Sequence, residues 1–468
     1  MKYLSIVFDI TILLLGTKFT ISRYKYKKRM DIFIATNIII CLYYAFIPLL
    51  IKVYNFEYNS NYMKTLYTTD GSQYFFVSFF CLLLYLVFLF VNTISKTSEA
   101  VLLNEDAMAS KDKYIQILNA RNYRTYTLFA YLCFVIGSIS FFTIAYSVGG
   151  VEDLIKIGDL SRGYGKDLSN YISSRLLPLR TIMVVILASP FLFYVMENHK
   201  RSLMNLVMLL SSTAISILFL VFNAGRAPLI TFVLPFILLI LLNRFKRPWI
   251  SIVIVSILLI PILKWLDNLF FYISYGVTKA ITNDTNIICY FIEQFGYPYV
   301  NMLNANKMIN YFGLRLGVDY ITWGVNIIPV SILSKLGLWK VSIITDYITA
   351  YYGQATYTSK MLGGIPIDVF TLGYLQLKLL GAAFFICIFG LIVRYIDNLC
   401  YRDRAYKLNQ VLYLRIALTF IFLIPNTSFE SIVRGRSDII ILILVIILTS
   451  KIKIKKYKSM DINNEHAG

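Results

Sequence analysis

Arginine recurs in this chain at places where the rest of its charge pattern argues against cations. Arg162 lies in Ser161-Arg162-Gly163-Tyr164-Gly165, and Arg175 and Arg180 lead into an apolar run. Arg226 sits in Asn223-Ala224-Gly225-Arg226-Ala227-Pro228, a turn between two apolar runs. Arg434-Gly435-Arg436 heads the last such run, and Arg315 lies in a long polar-aromatic segment. A guanidinium is always charged and offers phosphate oxygens two parallel N–H donors, so this set suits a phosphate or pyrophosphate at a membrane face. The competing explanation is an interfacial arginine that only snorkels to water or lipid phosphate. It is weakest for Arg226, whose turn is almost too short for anything else.

A group that attacks through a hydroxyl also needs a proton acceptor, the usual work of a positioned carboxylate. The acids on the side of the arginines are Asp153, Asp159, Glu293, Asp319, Asp346, Asp368 and Glu430. Asp346 and Glu430 join Arg226 as the catalytic candidates. Each acid could equally be a solvated charge or an arginine's partner, and Glu430 stands four residues before Arg434, a helical pairing distance. Asp346 and Asp368 flank a stretch rich in Tyr, Thr and Gly, in which Tyr351 and Tyr352 could stack on the C–H faces of sugar rings. The two histidines, His199 and His466, fall on the opposite side. Six scattered cysteines without a CxxC give neither a metal site nor a disulfide framework. No phosphate-binding glycine loop, GxSxG, HExxH or paired-aspartate motif occurs on the arginine side, and no metal or other cofactor is expected.

The elements that must carry these residues are membrane helices. Of the 468 residues 58% are hydrophobic and only 15% charged, with mean hydropathy +0.67, against about 25% charged in soluble domains. A spanning helix needs about 20 mostly apolar residues. The runs 3–20, 32–52, 73–95, 125–147, 178–196, 203–223, 227–243, 248–266, 373–395, 408–425 and 437–451 qualify or nearly so, the seventh, tenth and eleventh being short. The expected fold is therefore an all-α polytopic membrane protein of about 11 (10–12) transmembrane helices. Residues 1–266 carry the first eight, 267–372 form a long, partly helical outer loop, 373–451 carry the last three, and 452–468 are a basic tail. Within that loop 269–282 and 286–310 read as amphipathic helices lying on the bundle or in the interface, and 320–335 as a re-entrant piece.

Orientation follows from the basic loops. Arg23 to Arg29, Lys96 to Arg124, Lys200-Arg201, Arg244 to Arg247, Arg402 to Lys407 and the tail all fall on one side under this count. That side is cytoplasmic, which places the arginine motifs and the long segment outside. The net charge of +20 is thus explained by topology and the anionic inner leaflet, and nucleic acid is not an expected partner. Two charges fall inside spans: Arg415, about 10 Å from its inner helix end at 1.5 Å per residue and so able to snorkel inward, and Asp9, expected to find a structural partner on a neighbouring helix.

This layout resembles the Wzy-type oligosaccharide repeat-unit polymerases, which make O-antigen and capsular polysaccharide in bacterial cytoplasmic membranes. The resemblance rests on the helix count, the long outer loop, the stretch Asn223 to Pro228, and Gly363-Gly364-Ile365-Pro366 followed by Phe370 to Gly373, Gly381 and Gly390. It implies a metal-independent membrane glycosyltransferase whose partners are undecaprenyl-pyrophosphate-linked glycans and membrane lipids, with a chain-length regulator protein as a further candidate. Carried onto this chain, Arg226 binds pyrophosphate, with Arg162, Arg175, Arg434 and Arg436 in support, while Arg180 and Arg315 are further substrate-binding candidates. The outer histidine of the related O-antigen ligases has no counterpart here, which leaves the base unassigned. The alternatives are a lipid-linked oligosaccharide flippase, disfavoured by unequal halves and uncharged spans, and a ligase-like glycosyltransferase.

Overall fold

A computed structural model describes residues 1–27, 31–54, 56–93, 111–158, 171–173, 175–223, 226–245, 254, 258, 261–266, 268–269, 272, 286–328, 330–338, 342–353, 364–404, 410–427 and 436–449. Among the described residues 86% is helix and none is strand. In chain order the helices are α1 (Lys2–Lys27), α2 (Ile32–Val53), α3 (Gly71–Thr93), α4 (Lys111–Ser147), α5 (Val151–Lys156), α6 (Pro178–His199), α7 (Leu203–Phe222) and α8 (Arg226–Arg244). They continue with α9 (Ile287–Phe295), α10 (Tyr297–Phe312), α11 (Val318–Ile327), α12 (Val330–Lys335), α13 (Ile344–Gly353), α14 (Val369–Arg404), α15 (Gln410–Phe422) and α16 (Ser437–Thr449).

Seven of these, α1 to α4, α6, α7 and α14, contain stretches long and apolar enough to cross a membrane. The apolar parts of α8, α15 and α16 are shorter, and the eighth expected run, 248–266, lies largely outside the described residues. The count of eleven is therefore not established. The chain divides into two compact units. One comprises 1–96, 278–395 and 420–430, the other 97–277, 396–419 and 431–468.

In the first unit α1 packs against α2 and α3 around buried Ile12, Phe33, Tyr85 and Phe88. Pro48 has no N–H to give the Tyr44 carbonyl and its ring crowds that oxygen. The turn just before it widens to a π-helix over Leu42–Phe46, in which Tyr43 and Tyr44 are both buried. Asp9 meets Lys52, whose ammonium also donates to Ser78 Oγ and lies 5.2 Å from the Tyr299 ring centre. All three polar groups are inside the protein, as a charge in hydrocarbon requires.

The expected surface helix over 286–310 is instead two, broken at Gly296-Tyr297-Pro298, and α10 is a core element. Tyr299, Val300, Met302, Leu303, Ala305 and Met308 are buried. Asn301 and Asn304 are buried too, and their amides find partners described below. That satisfaction is what lets a helix with polar residues enter a core.

The ninth run does not start as expected either. Within α14, Leu377 and Lys378 leave the helical region, and the chain reverses there. Gly373 and Gly381, about 12 Å apart in a straight helix, touch: a Cβ on Gly373 would lie 2.6 Å from Ala382 Cα, and one on Gly381 would lie 2.3 Å from the Gly373 carbonyl oxygen. A short buried arm, 369–376, thus folds back on the longer arm, 379–404. The helix-end carbonyls of the short arm are capped from outside it, by Arg315 N–H to Leu375 O and Leu316 N–H to Gln376 O.

In the second unit α6 packs against α4 and α7. Pro190 cannot donate to the Ile186 carbonyl, which takes the Ser189 N–H instead at the end of a 3-10 stretch, Val184–Ala188. The hydroxyls of Ser189 and Ser216 donate to that oxygen at 2.8 and 3.3 Å. The same repair recurs in α8, with a charged donor.

Candidate functional site

Pro235 lies inside α8 and cannot supply the N–H that the Thr231 carbonyl needs. Arg415 Nη1 supplies it, at 2.8 Å. The rest of the Arg415 fork is held by Asp438, with Nε and Nη2 at 3.0 and 2.7 Å from Oδ2, and the guanidinium stands 5.6 Å from the Phe191 ring centre. Both partners are buried, at 3% and 0% side-chain exposure. Arg415 therefore does not snorkel inward as expected. A carbonyl orphaned by proline and an acid at the head of α16 hold it inside the protein.

Arg436 completes this corner. It precedes α16, and its Nη1 is buried with no hydrogen-bond partner among the described residues. Burial, with the Arg415 charge nearby, pulls its guanidinium down to about 10, against the opposing pull of Asp438. Among the described residues, one carboxylate thus acts on two guanidinium groups, and its Oδ1 is itself buried without a partner.

The turn between α7 and α8 adds further donors to the same unit. Asn223 closes α7, sending its own Nδ2 to the Phe219 carbonyl at 3.0 Å. Its Oδ1 accepts from Arg180 Nη2 at a long 3.4 Å. Arg226 then opens α8, five residues or about 7.5 Å along the axis before Thr231. The first N–H groups of a helix and its dipole favour an anion at such an end. Gly158 presses on this corner: a Cβ there would lie 2.4 Å from the Phe222 carbonyl oxygen. What the arrangement can do is hold an oxyanion.

The first unit holds a polar cluster of different character. Asp368 caps the short arm of α14, its Oδ1 accepting from Phe370 N and Thr371 N at 3.1 and 2.9 Å and from the Tyr44 hydroxyl. Tyr44 stacks on Phe370 with ring centres 4.0 Å apart. Asp368 Oδ2 is buried without a partner among the described residues, so this acid is not a solvated charge. Along α10, Asn301 accepts from Tyr352 at 3.1 Å and donates to the Pro366 carbonyl at 3.0 Å. Asn304 accepts from Tyr351 at 3.4 Å and donates to Thr65, and Asn306 accepts from Tyr374 at 3.0 Å. The backbone of 367–369 is tied to 424–427 by Val369 N–H to Ile424 O and Thr427 N–H to Ile367 O.

The candidate residues divide accordingly. Arg180, Arg226 and Arg436 belong to the second unit, at the ends of helices joined by the bonds above. Nothing is described of the Arg226 side chain. Arg175 is exposed at the turn before α6. Arg162, Glu430 and Arg434 lie outside the described residues. Asp346 accepts the Ile343 N–H at 3.2 Å, a cap at the start of α13. Arg315 is not a free cation: Asp319 accepts two of its N–H groups at 3.1 and 2.8 Å, and Gln376 completes that carboxylate at 2.8 Å. Tyr352 is buried with its hydroxyl engaged, whereas Tyr351 is half-buried. Of the other acids, Glu293 holds Asn59 N at 2.6 Å, and Asp153 lies 3.7 Å from Lys156.

Sequence reasoning missed Asp438, Lys52, Asn223 and Tyr44 as partners. One proline was an available signal: Pro235 identifies a carbonyl four residues back, that of Thr231, which needs a new neighbour.

The class these features define is an all-helical, multi-pass membrane protein, on the strength of its seven long apolar helices. No family model, no curated protein and no solved structure matches the chain.

Proposed function

We propose that this protein polymerises lipid-linked oligosaccharide repeat units at the outer face of a bacterial cytoplasmic membrane, as a metal-independent glycosyltransferase of the Wzy type. The supporting observation is the buried arginine corner of the second unit. Arg415 is neutralised by Asp438, while Arg436 keeps a buried donor without an acceptor among the described residues, beside the helix that Arg226 opens. A diphosphate ester would bring negative charge to two guanidinium groups that, among the described residues, share the Asp438 carboxylate, whose Oδ1 is also buried without a partner.

In this reading a growing glycan on undecaprenyl pyrophosphate is transferred to a hydroxyl of an incoming lipid-linked unit. The anomeric C–O bond to the pyrophosphate breaks and the bond to the acceptor oxygen forms. The acceptor proton passes to a base, and the lipid pyrophosphate leaves with the bonding pair. Negative charge grows on the leaving group, and fixed guanidinium groups stabilise it without reorganising, often the largest single catalytic effect. Two substrates tethered in one membrane add the advantage of proximity. No nucleotide is needed, which suits a compartment without ATP.

The test is an Arg226→Ala variant in cells that make the polysaccharide. Long chains are lost while single repeat units are still delivered outside. A normal chain-length ladder from a properly inserted variant removes Arg226 from the mechanism. Repeat units trapped facing the cytosol would instead identify a flippase.

A further inference from the structure

The turn of α14 and the helix α11 present a continuous apolar surface that the proposed function does not use. Leu316, Ile321, Leu377 and Leu380 are 66%, 72%, 53% and 80% exposed. They are neighbours by construction. Arg315 N–H and Leu316 N–H cap the short arm of α14, Gly317 N–H reaches Gln376 Oε1 at 2.9 Å, and Tyr320 of α11 stacks on Phe385 of the long arm with ring centres 5.8 Å apart. The surface continues along the long arm through exposed Phe384 and Leu391.

We propose that α11 is embedded beside α14 below the membrane surface, with Leu316, Ile321 and Leu377 covered by acyl chains of the leaflet that holds the turn. Depth is what carries this. From Leu379, where the long arm begins, to Asp397, where its apolar stretch ends, is 19 residues, or about 28 Å at 1.5 Å each. That matches a hydrocarbon core of about 30 Å, so the turn at Leu377–Lys378 sits at one edge of it. Phe385 is six residues further on, about 9 Å inside, and the stacked ring of Tyr320 goes with it. A helix satisfies its own backbone and can enter at that depth. Exposed Lys378 at the turn can reach the headgroups on its flexible stem.

The inference does not depend on what the protein catalyses, and its test reads no activity. Single cysteines replace Ile321, Leu380 and, as an aqueous reference on α5, exposed Glu152. Each is labelled with a bimane fluorophore in phosphatidylcholine–phosphatidylglycerol vesicles, and the label taken up by the parent protein is subtracted. Acyl chains brominated on the lipid should quench positions 321 and 380 alike, and aqueous iodide should quench only position 152. Iodide quenching at 321, with loss of the bromolipid effect, overturns the proposal by putting α11 in water. Quenching of 321 by neither agent overturns it as well, because a second copy or another protein then covers the surface.

Discussion

Replacing Arg436 with methionine separates function from stability in a way few other changes here would. The guanidinium falls to about 10, well below its ordinary value, which at about 1.36 kcal/mol per pH unit is roughly 3 kcal/mol of unfavourable placement. Partial exposure of the side chain reduces that figure, and a buried donor without an acceptor costs about 1–3 kcal/mol by itself. A folded-state value below the unfolded one means the burden is present throughout the range below about pH 10 and is relieved only as the pH climbs from there towards the unfolded value. Methionine fills similar space without charge. Arg436→Met should therefore stabilise the purified protein by about 1–2 kcal/mol at neutral pH while abolishing glycan polymerisation. The assay is the unfolding midpoint in detergent beside the polysaccharide ladder from cells. Added inorganic pyrophosphate should raise the midpoint of the wild type and not that of the variant. A variant less stable than wild type by about 1 kcal/mol or more would refute the reasoning, since Arg436 would then be a satisfied structural residue.

The other expectations are narrower. Asp438→Asn leaves Arg415 buried without its counter-charge and should cost about 3–5 kcal/mol, the usual result of removing one member of a buried pair, read as a lower unfolding midpoint. Pro235→Ala restores an N–H for the Thr231 carbonyl, so it should weaken the need for Arg415. The stability loss of Arg415→Met should then be smaller in the Pro235→Ala background, measurable as a double-mutant cycle. Gly381→Ala drives a methyl into the Gly373 carbonyl and should destabilise by about 1–3 kcal/mol through overpacking, whereas alanine at exposed Gly353, which meets nothing within 4 Å, should leave the midpoint unchanged.

How much of this could be read beforehand differs from place to place. The apolar runs are long-range composition signals, and ten of them coincide with helices. The reversal at Leu377–Lys378 is invisible locally, because Leu-Gln-Leu-Lys-Leu-Leu is a strong helix former. Tertiary capping by Arg315 and Leu316 and the Gly373–Gly381 contact override that propensity. The glycines were noticed as part of a resemblance, and their physical reason is now the close approach of two backbones. The burial of α10 was hidden because its asparagines look like a solvent face until Tyr352, Tyr351 and Tyr374 are seen to satisfy them. Arg415 and Asp438 are 23 positions apart in sequence, beyond any local pairing rule, and a third element supplies the Thr231 carbonyl. Motif reading drew attention to the Arg226 turn and to Arg436. That its Nη1 is buried without a partner among the described residues emerged only from the side chains around it.

The most direct test of the central claim is reconstitution. Purified protein in vesicles is given undecaprenyl-pyrophosphate-linked repeat units and no nucleotide, and the products are separated by length. A ladder that grows with time, releases lipid pyrophosphate and disappears with Arg226→Ala and with Arg436→Met is the predicted result. Transbilayer movement of the lipid-linked unit without any ladder, or a ladder undiminished by both substitutions, would contradict the account.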